Sequence, residues 1–369
     1  MESFDVVVIG GGIAGLSTAW HLVQAGVTKT CVLEREWACG AHASGTNAAI
    51  YRQFEDDAVG VRLARRTRAL LEVLSPDEPL LRQTGALYVA TPGRLASAIS
   101  QLTANDIEVR RLSGAEVAAL ASPVVLGARH AAALVPTDGV LDPHGMLQAL
   151  QARLRAAGVA VRVSSGARPT RRNGHFVIAT AAGELRAAHL VLAGGAWNAE
   201  LGACLGAPAP LQPLRRHLAL LDTSDAPAGG PVVWRLEDDE AYFRPESGGA
   251  LASPCDETAW PAEAAVPMDS QALVSLGERL STLAPALARA TVRRAWGCLR
   301  TFAPDRQFIA GPDARVPGLH WCAGLGGRGM SCGLALGEVV ALALVGRAAA
   351  PAEVSLARVL TPEHAAATP

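Results

Sequence analysis

The chain has 369 residues, half of them apolar and 18% charged, with a formal net charge of −1. That is apolar material enough for one large domain or two interleaved ones, and the balanced charge offers no broad basic field to nucleic acid or anionic lipid. No apolar run reaches the ~18 residues of a membrane span; the best candidate, residues 333–346, is short and carries Glu338. The opening residues already read as a strand rather than a secretory leader. The seven cysteines are an odd number without a CxxC pair, which suggests free thiols in a reducing cytoplasm rather than a disulfide frame or a zinc site. Of 33 basic residues only Lys29 is a lysine, and its place between a helix and a strand nearly excludes Schiff-base chemistry.

Residues 4–9 read as a buried strand, followed by Gly10, Gly12 and Gly15 as GxGxxG. A helix is expected from Ile13 to Gln24 with Gly26 as its stop, then a second apolar strand from Thr30 to Leu33 ending at Glu34. The first glycine permits a tight turn, the second lets a pyrophosphate reach the backbone, and the third lets helix pack on strand. The helix N-terminus then presents free N–H groups to phosphate. Glu34 lies roughly 20 residues on, where an acid accepts ribose hydroxyls and disfavours a 2′-phosphate. Strand, glycines, helix, strand and acid in register mark a dinucleotide site far more firmly than GxGxxG alone. The small-residue loop 35–55 that follows favours FAD over NAD, because an NAD dehydrogenase would reach its next strand within a short loop.

Helical periodicity with an arginine-rich exposed face covers residues 56–74, and a strand is expected at 82–90. Ser113 and Glu116 form a capping-box pattern. Residues 141–158 read as a helix and 159–163 as the strand after it; 189–197 is a further buried strand ending in small residues. From 208 to 296, β-like segments punctuated by Pro and Gly, with one helix around 268–284, read as an antiparallel sheet apart from the nucleotide unit. Gly324, Gly326 and Gly329 spell a second GxGxxG before a late helix. With about 40 residues left, no following strand and no acid, they cannot found a second dinucleotide unit. That helix N-terminus suits an anionic reduced flavin instead. The expected fold is α/β: a Rossmann-type, glutathione-reductase-like FAD-binding domain from residues 1–80, 140–207 and 296–350, and an α+β substrate domain with a large antiparallel sheet from 81–139 and 208–295. Residues 351–369 read as a tail draped over the surface.

The run VVVIGGGIAGLSTAWHL, the following VLERE and the SG and NAA of the next loop resemble the D-amino-acid oxidase (glycine/sarcosine oxidase) superfamily of FAD enzymes. They look closest to its bacterial D-amino-acid dehydrogenases. The resemblance implies that Gly10, Gly12, Ile13, Ala14, Gly15, Glu34 and Arg35 hold the dinucleotide. It implies that the loop with Ala43, Ser44, Thr46, Asn47 and Ala48 wraps the pyrophosphate and flavin, and that Ala167 meets the adenine. Ala193, Gly194, Gly195 and Trp197 match a family turn that contacts the dinucleotide. Leu325, Gly327, Arg328, Gly329, Met330 and Ser331 fall on the loop placed at the flavin pyrimidine.

The implied reaction is oxidation of an amino acid or related amine to the imine by hydride transfer from Cα to flavin. The imine then hydrolyses to a keto acid, and O2 or another acceptor takes the electrons. Such a site needs a carboxylate clamp, a wall that sets Cα–H over the flavin and a neutral amine, but no protein base. Arginine suits the clamp because its planar fork matches a carboxylate. Arg300 stands where family members carry G-L-R, Arg216 matches a second arginine of the dehydrogenase pattern, and Tyr242 matches a tyrosine that reaches the carboxylate. Where the basic-substrate pattern has histidine and tyrosine this chain has Ile50 and Glu55, and Gly85 replaces its acid, so a smaller or apolar substrate is expected. Cys298 stands where monomeric sarcosine oxidases bond a cysteine to the flavin. A buried thiol filling the space of the glycine found in other relatives, with non-covalent FAD, is the preferred reading. Two other readings stay open: an NAD(P)H-dependent flavin monooxygenase, suggested faintly by AGPD at 310–313, and a flavoprotein subunit without turnover of its own.

Overall fold

The computed structural model describes residues 1–55 and 57–360. The first strand is Glu2–Ile9, and the helix Ile13–Gln24 and strand Thr30–Leu33 have the expected bounds. They open an eight-stranded sheet. Its parallel heart runs, in spatial order, Leu319–Ala323, Gly183–Leu192, Glu2–Ile9, Thr30–Leu33, Ala160–Arg162. Val6, Val7, Val8 and all of Thr30–Leu33 are buried, as strands covered on both faces require. The strand Glu2–Ile9 has Thr30–Leu33 on one side and Gly183–Leu192 on the other. Its carboxyl end is therefore the point where an open α/β sheet binds ligands.

The late helix Gly329–Leu344 packs along the first helix Ile13–Gln24 with almost nothing between them. The Ser17 hydroxyl donates to the Gly333 carbonyl at 2.8 Å. A Cβ on Gly333 would come within 3.0 Å of Ile13, and one on Gly337 within 2.1 Å of Ser17 Oγ and 2.7 Å of the Thr18 nitrogen. Glycines at every fourth position let the two backbones approach, so both helices begin at the same place.

The second sheet has nine strands. Its spine Gln212–Asp222 pairs antiparallel with Gly249–Ser253 on one side and with the long strand Thr291–Phe302 on the other. It departs from a wholly antiparallel pattern where Val232–Arg235 lies parallel to Ala86–Ala90. One face carries Tyr88, Leu218, Trp234, Tyr242 and Cys298; the other carries Leu87, Val233, Phe243 and Ala219 and packs on Leu276, Leu280 and Leu283 of the helix Ser270–Leu283.

Two local readings differ from expectation. The single strand at 82–90 is split: Leu81–Arg82 joins a three-stranded sheet with Gly139–Leu141, Gly85 turns the chain at φ 77°, and Ala86–Ala90 enters the large sheet. The tail does not simply drape, because residues 352–359 form two short turns that bury Val354 and Leu356. Its last part, 361–369, lies outside the described residues. The Ser113–Glu116 capping box forms as read.

Close helix packing makes a contrast measurable. Gly337→Ala should cost about 1–3 kcal/mol of unfolding free energy through overpacking. Gly277→Ala, in a helix with open space around it, should instead gain up to about 1 kcal/mol from helix propensity. Denaturant unfolding of the two variants checks this, and a Gly337→Ala protein as stable as the parent would contradict the packing described.

Candidate functional site

A cavity of about 950 Å³ runs from the turn after the first strand to the face of the nine-stranded sheet. At its near end Gly10 sits at φ 116°, and a Cβ there would lie 2.3 Å from the Ala193 carbonyl oxygen. Gly15 does not line the cavity; a Cβ on it would meet the Gly10 carbonyl at 1.9 Å, so its role is helix–strand packing. Gly12, Ile13 and Ala14 do line it. The N-cap Gly12 supplies no side-chain cap, and the Ile13 N–H donates to Ser44 Oγ at 3.0 Å. Glu34 accepts from the Gly11 N–H at 2.8 Å and, through its other oxygen, from the Glu36 N–H at 2.9 Å. Half of its acceptor sites remain for ribose hydroxyls.

Above this turn Arg35, Trp197 and His42 form a layered clasp. The Arg35 guanidinium lies 4.4 Å from the Trp197 ring centre, and the His42 ring is 4.6 Å from it. Glu36 ties both outer members, at 3.1 Å to Arg35 and 2.9 Å to His42. The His42 hydrogen bond, with the Arg35 charge, holds the Glu36 carboxyl below its ordinary range. The Trp197 indole N–H is buried without a partner among the described residues, a donor left for a bound group. Ala43, Ser44, Thr46, Asn47, Ala48, Ala167, Ala193, Gly194 and Gly195 complete the walls.

Leu325, Gly327, Gly329, Met330 and Ser331 line the cavity at the start of the late helix, whose N-terminus has no side-chain cap. Ser331 ties this helix to the extended segment at 50–52, donating to the Ile50 carbonyl and accepting from the Arg52 N–H, both at 3.3 Å. Arg328 departs from its expected place. It is not in the lining: its guanidinium lies 2.9 Å from Asp57 and 3.4 Å from Glu55 and covers the Phe308 ring at 4.0 Å. The expected monooxygenase feature also points elsewhere, since Asp313 is buried against Arg315 and the Trp321 N–H, away from the cavity.

At the far end Ile50, Arg216, Tyr242, Cys298 and Arg300 all line the cavity. Register explains the grouping. Arg216 stands directly opposite Cys298 and Leu214 opposite Arg300, so Arg216, Cys298 and Arg300 share one face. Tyr242 packs its ring 4.5 Å from Trp234, and burial pushes its hydroxyl pKa up. The Cys298 thiol donates to the Arg216 carbonyl at 3.4 Å. The two arginines differ. Arg216 is held at 2.5 Å by Glu257. Arg300 is 6% exposed, donates only to the Leu299 carbonyl at 3.1 Å, and has no carboxylate partner among the described residues.

Sequence reasoning missed Arg52, Trp234, His42 and Glu257. Arg52 lines the cavity with its guanidinium 4.3 Å from the Trp234 ring centre. Its i, i+2 spacing from Ile50 on an extended segment was the available signal. That segment is pinned by the fully buried Asp138, which accepts from the Gln53 N–H at 3.0 Å and the Tyr88 hydroxyl at 2.7 Å. Among the described residues the lining acids are Glu34 and Glu200, both at the dinucleotide end, while the far end carries Arg52, Arg216 and Arg300.

A glycine turn at a helix N-terminus, an acid at the end of the second strand and a second sheet closing the cavity define the class of a dinucleotide-cofactor protein. The chain belongs to the DAO family of FAD-dependent oxidoreductases, whose profile matches residues 5–343. It is 25% identical to the 4-methylaminobutanoate oxidase (formaldehyde-forming) of Paenarthrobacter nicotinovorans, over 91% of this chain and 43% of that protein. It is 24% identical to the monomeric sarcosine oxidase of Bacillus sp. (strain NS-129), over 93% of this chain and 94% of that one. Several curated relatives are much longer: the chain spans 39–43% of that methylaminobutanoate oxidase, rat dimethylglycine dehydrogenase and mouse sarcosine dehydrogenase. The fold matches L-proline dehydrogenase from P. horikoshii at TM-score 0.88 and 21% identity, covering 97% of this chain and 98% of that one. It also matches glycine oxidase from Geobacillus kaustophilus at TM-score 0.82 and 22% identity, covering 98% and 100%. The finer likeness to D-amino-acid dehydrogenases rests on the sequence resemblance alone. Among the described residues no helix is long and apolar enough to cross a membrane, and no cluster of side chains suits a metal ion.

Two outcomes follow. Trp197→Ala should weaken FAD binding roughly tenfold, as loss of a stacked ring and an N–H donor predicts; fluorescence titration of the apoprotein with FAD reads it, and an unchanged affinity would remove Trp197 from the cofactor site. Burial pushes the Asp138 carboxyl up to about 6, against hydrogen bonds from Gln53 and Tyr88 that favour its ionised form. The folded chain thus binds this proton more tightly than the unfolded one, and the group's contribution to stability is full at low pH and lost as pH rises through about 6. From about pH 7 to pH 5 the parent should gain on the order of 1 kcal/mol relative to Asp138→Asn. Parallel pH profiles for the two proteins would contradict it.

Proposed function

We propose that the chain oxidises a small neutral or apolar α-amino acid or N-alkyl amino acid, of the D-amino-acid or glycine/sarcosine type, to the imine. The observation that carries this reading is Arg300, a buried guanidinium in the cavity wall with no carboxylate to balance it among the described residues. A substrate carboxylate supplies the missing partner, and the planar fork fixes its orientation. FAD, when bound, supplies hydride acceptance. The residues predicted for it fit: two helix N-termini on the cavity, Gly10 where a side chain cannot stand, the Trp197 N–H with no partner among the described residues, and Glu34. The helix starting at Gly329, whose N-cap residue supplies no side-chain cap, would offer partial positive charge to the negative charge that a bound flavin gains on reduction. Ile50, Trp234 and Tyr242 form the wall that holds the substrate's Cα. Among the described residues no lining carboxylate at that end favours a cationic side chain, which supports a neutral or apolar substrate.

In this reading residues 1–80, 140–207 and 296–350 form the cofactor unit, and 81–139 with 208–295 the substrate unit. The imine hydrolyses to a keto acid in water, and electrons pass to O2 or another acceptor. FAD is held non-covalently, with Cys298 as a buried thiol. The free cysteines support a cytoplasmic location.

Anaerobic mixing of the FAD-loaded protein with neutral amino acids of both configurations and their N-methyl derivatives should bleach the flavin with at least one of them. Bleaching by NADPH and by no amine would overturn the reading in favour of a monooxygenase. Arg300→Met should raise KM roughly 100-fold with a smaller effect on kcat, and Arg300→Lys should fall between; a parent-like KM in Arg300→Met would contradict the clamp. Acid precipitation should leave the flavin in the supernatant, and flavin retained on the pellet would assign Cys298 the covalent bond.

A further inference from the structure

The second arginine of the far end is ion-paired within the chain through one Nη, while its buried Nε has no partner among the described residues. Arg216 is nearly buried, lines the cavity beside Arg300 on the same sheet face, and approaches the Gly327 turn, where a Cβ would lie 3.4 Å from its guanidinium. Diagonal neighbours on one face of an antiparallel pair stand ~7–8 Å apart, a spacing that would let two guanidiniums grip the two ends of a short dicarboxylate. Glu257 prevents this. Its Oε1 accepts from Arg216 at 2.5 Å and from Arg306 at 2.6 Å. Arg306 in turn lies over the Phe302 ring at 4.0 Å.

The carboxylate is fixed in place by its own segment. The neighbouring Asp256 holds His217 at 2.6 Å, and the Trp260 N–H donates to the Pro213 carbonyl at 3.1 Å. Farther along, Asp269 meets Arg215 at 2.7 Å, and the Arg215 guanidinium covers the Trp260 ring at 4.1 Å. Ala262, Ala264, Ala265 and Val266 of the same segment form part of the cavity wall. The segment is thus tied to the strand Gln212–Asp222 at both of its ends, with Glu257 paired to Arg216.

We propose that Glu257 is a specificity-determining residue. By occupying Arg216 it limits the site to substrates with one carboxylate and rejects amino acids that carry a second. This rests on the reading of Arg300 as the substrate-carboxylate site. An unbalanced Arg216 would attract a second carboxylate, while a Glu257 left in place repels it and leaves it without a donor.

The test uses the FAD-loaded protein and two non-reacting probes, propionate and succinate, each titrated against the flavin absorbance spectrum. In the parent, propionate should bind and succinate should bind more weakly. Glu257→Gln should tighten succinate roughly tenfold, the size of one charge-assisted pair, with propionate changed less than about threefold. Adding Arg216→Gln to Glu257→Gln should abolish the gain. A Glu257→Gln protein that shifts both probes together, or neither, overturns the proposal while leaving the Arg300 site intact. Propionate that fails to perturb the flavin of the parent overturns the Arg300 reading and this proposal with it. Should Glu257→Gln not fold, Glu257→Ala is read in the same way.

Discussion

The site depends on two helices that meet closely because one presents glycines to the other. Gly333 and Gly337 bring the late helix against Ser17 and Thr18 of the first, and the Ser17 hydroxyl closes the contact on the Gly333 carbonyl. Because the two helices lie so close, their N-termini open on one cavity rather than on separate surfaces. Each end carries partial positive charge from its unpaired N–H groups. One follows the dinucleotide turn; the other is proposed to face the edge of the flavin that becomes electron-rich on reduction. A single bulky residue in the glycine stripe would move both ends apart and spoil the cavity without touching its lining.

The second constraint is strand register. The long antiparallel pair Gln212–Asp222 and Thr291–Phe302 decides which side chains face the cofactor unit. A slip of one residue would turn Arg216, Cys298 and Arg300 to the opposite face, where Phe243, Ala219 and the helix Ser270–Leu283 pack. Charge is then sorted along the cavity. The acids Glu34 and Glu200 stand at the dinucleotide end, and the arginines at the other. The two arginines in register are not equivalent, because Glu257 pairs with one and no carboxylate among the described residues pairs with the other.

The amino-terminal unit was legible because its parts are local. Strand, glycines, helix, strand and acid all lie within the first 34 residues, and each has a steric or electrostatic reason for its place. Arg300 and Tyr242 were reached through family resemblance, and both line the cavity. Long-range partners left no mark in the sequence. Glu257 lies 41 residues from Arg216 and 49 from Arg306, with no period or motif linking them. Arg328 was misplaced for a related reason: a glycine-rich turn signals a cofactor loop, but its side chain turns back to Asp57 and Glu55, more than 270 positions earlier. The split of residues 82–90 shows the limit of apolar runs as strand signals, since Gly85 at positive φ hands the chain from one sheet to another.

The most direct measurement is a crystal structure of the FAD-loaded protein soaked in acetate. The account predicts pyrophosphate oxygens on the backbone N–H groups after Gly12, the pyrimidine edge against the N-terminus at Gly329, and acetate held in a fork by Arg300 while Glu257 stays on Arg216. Acetate bound to Arg216 with Glu257 displaced, or a flavin ring lying away from Gly329, would contradict it.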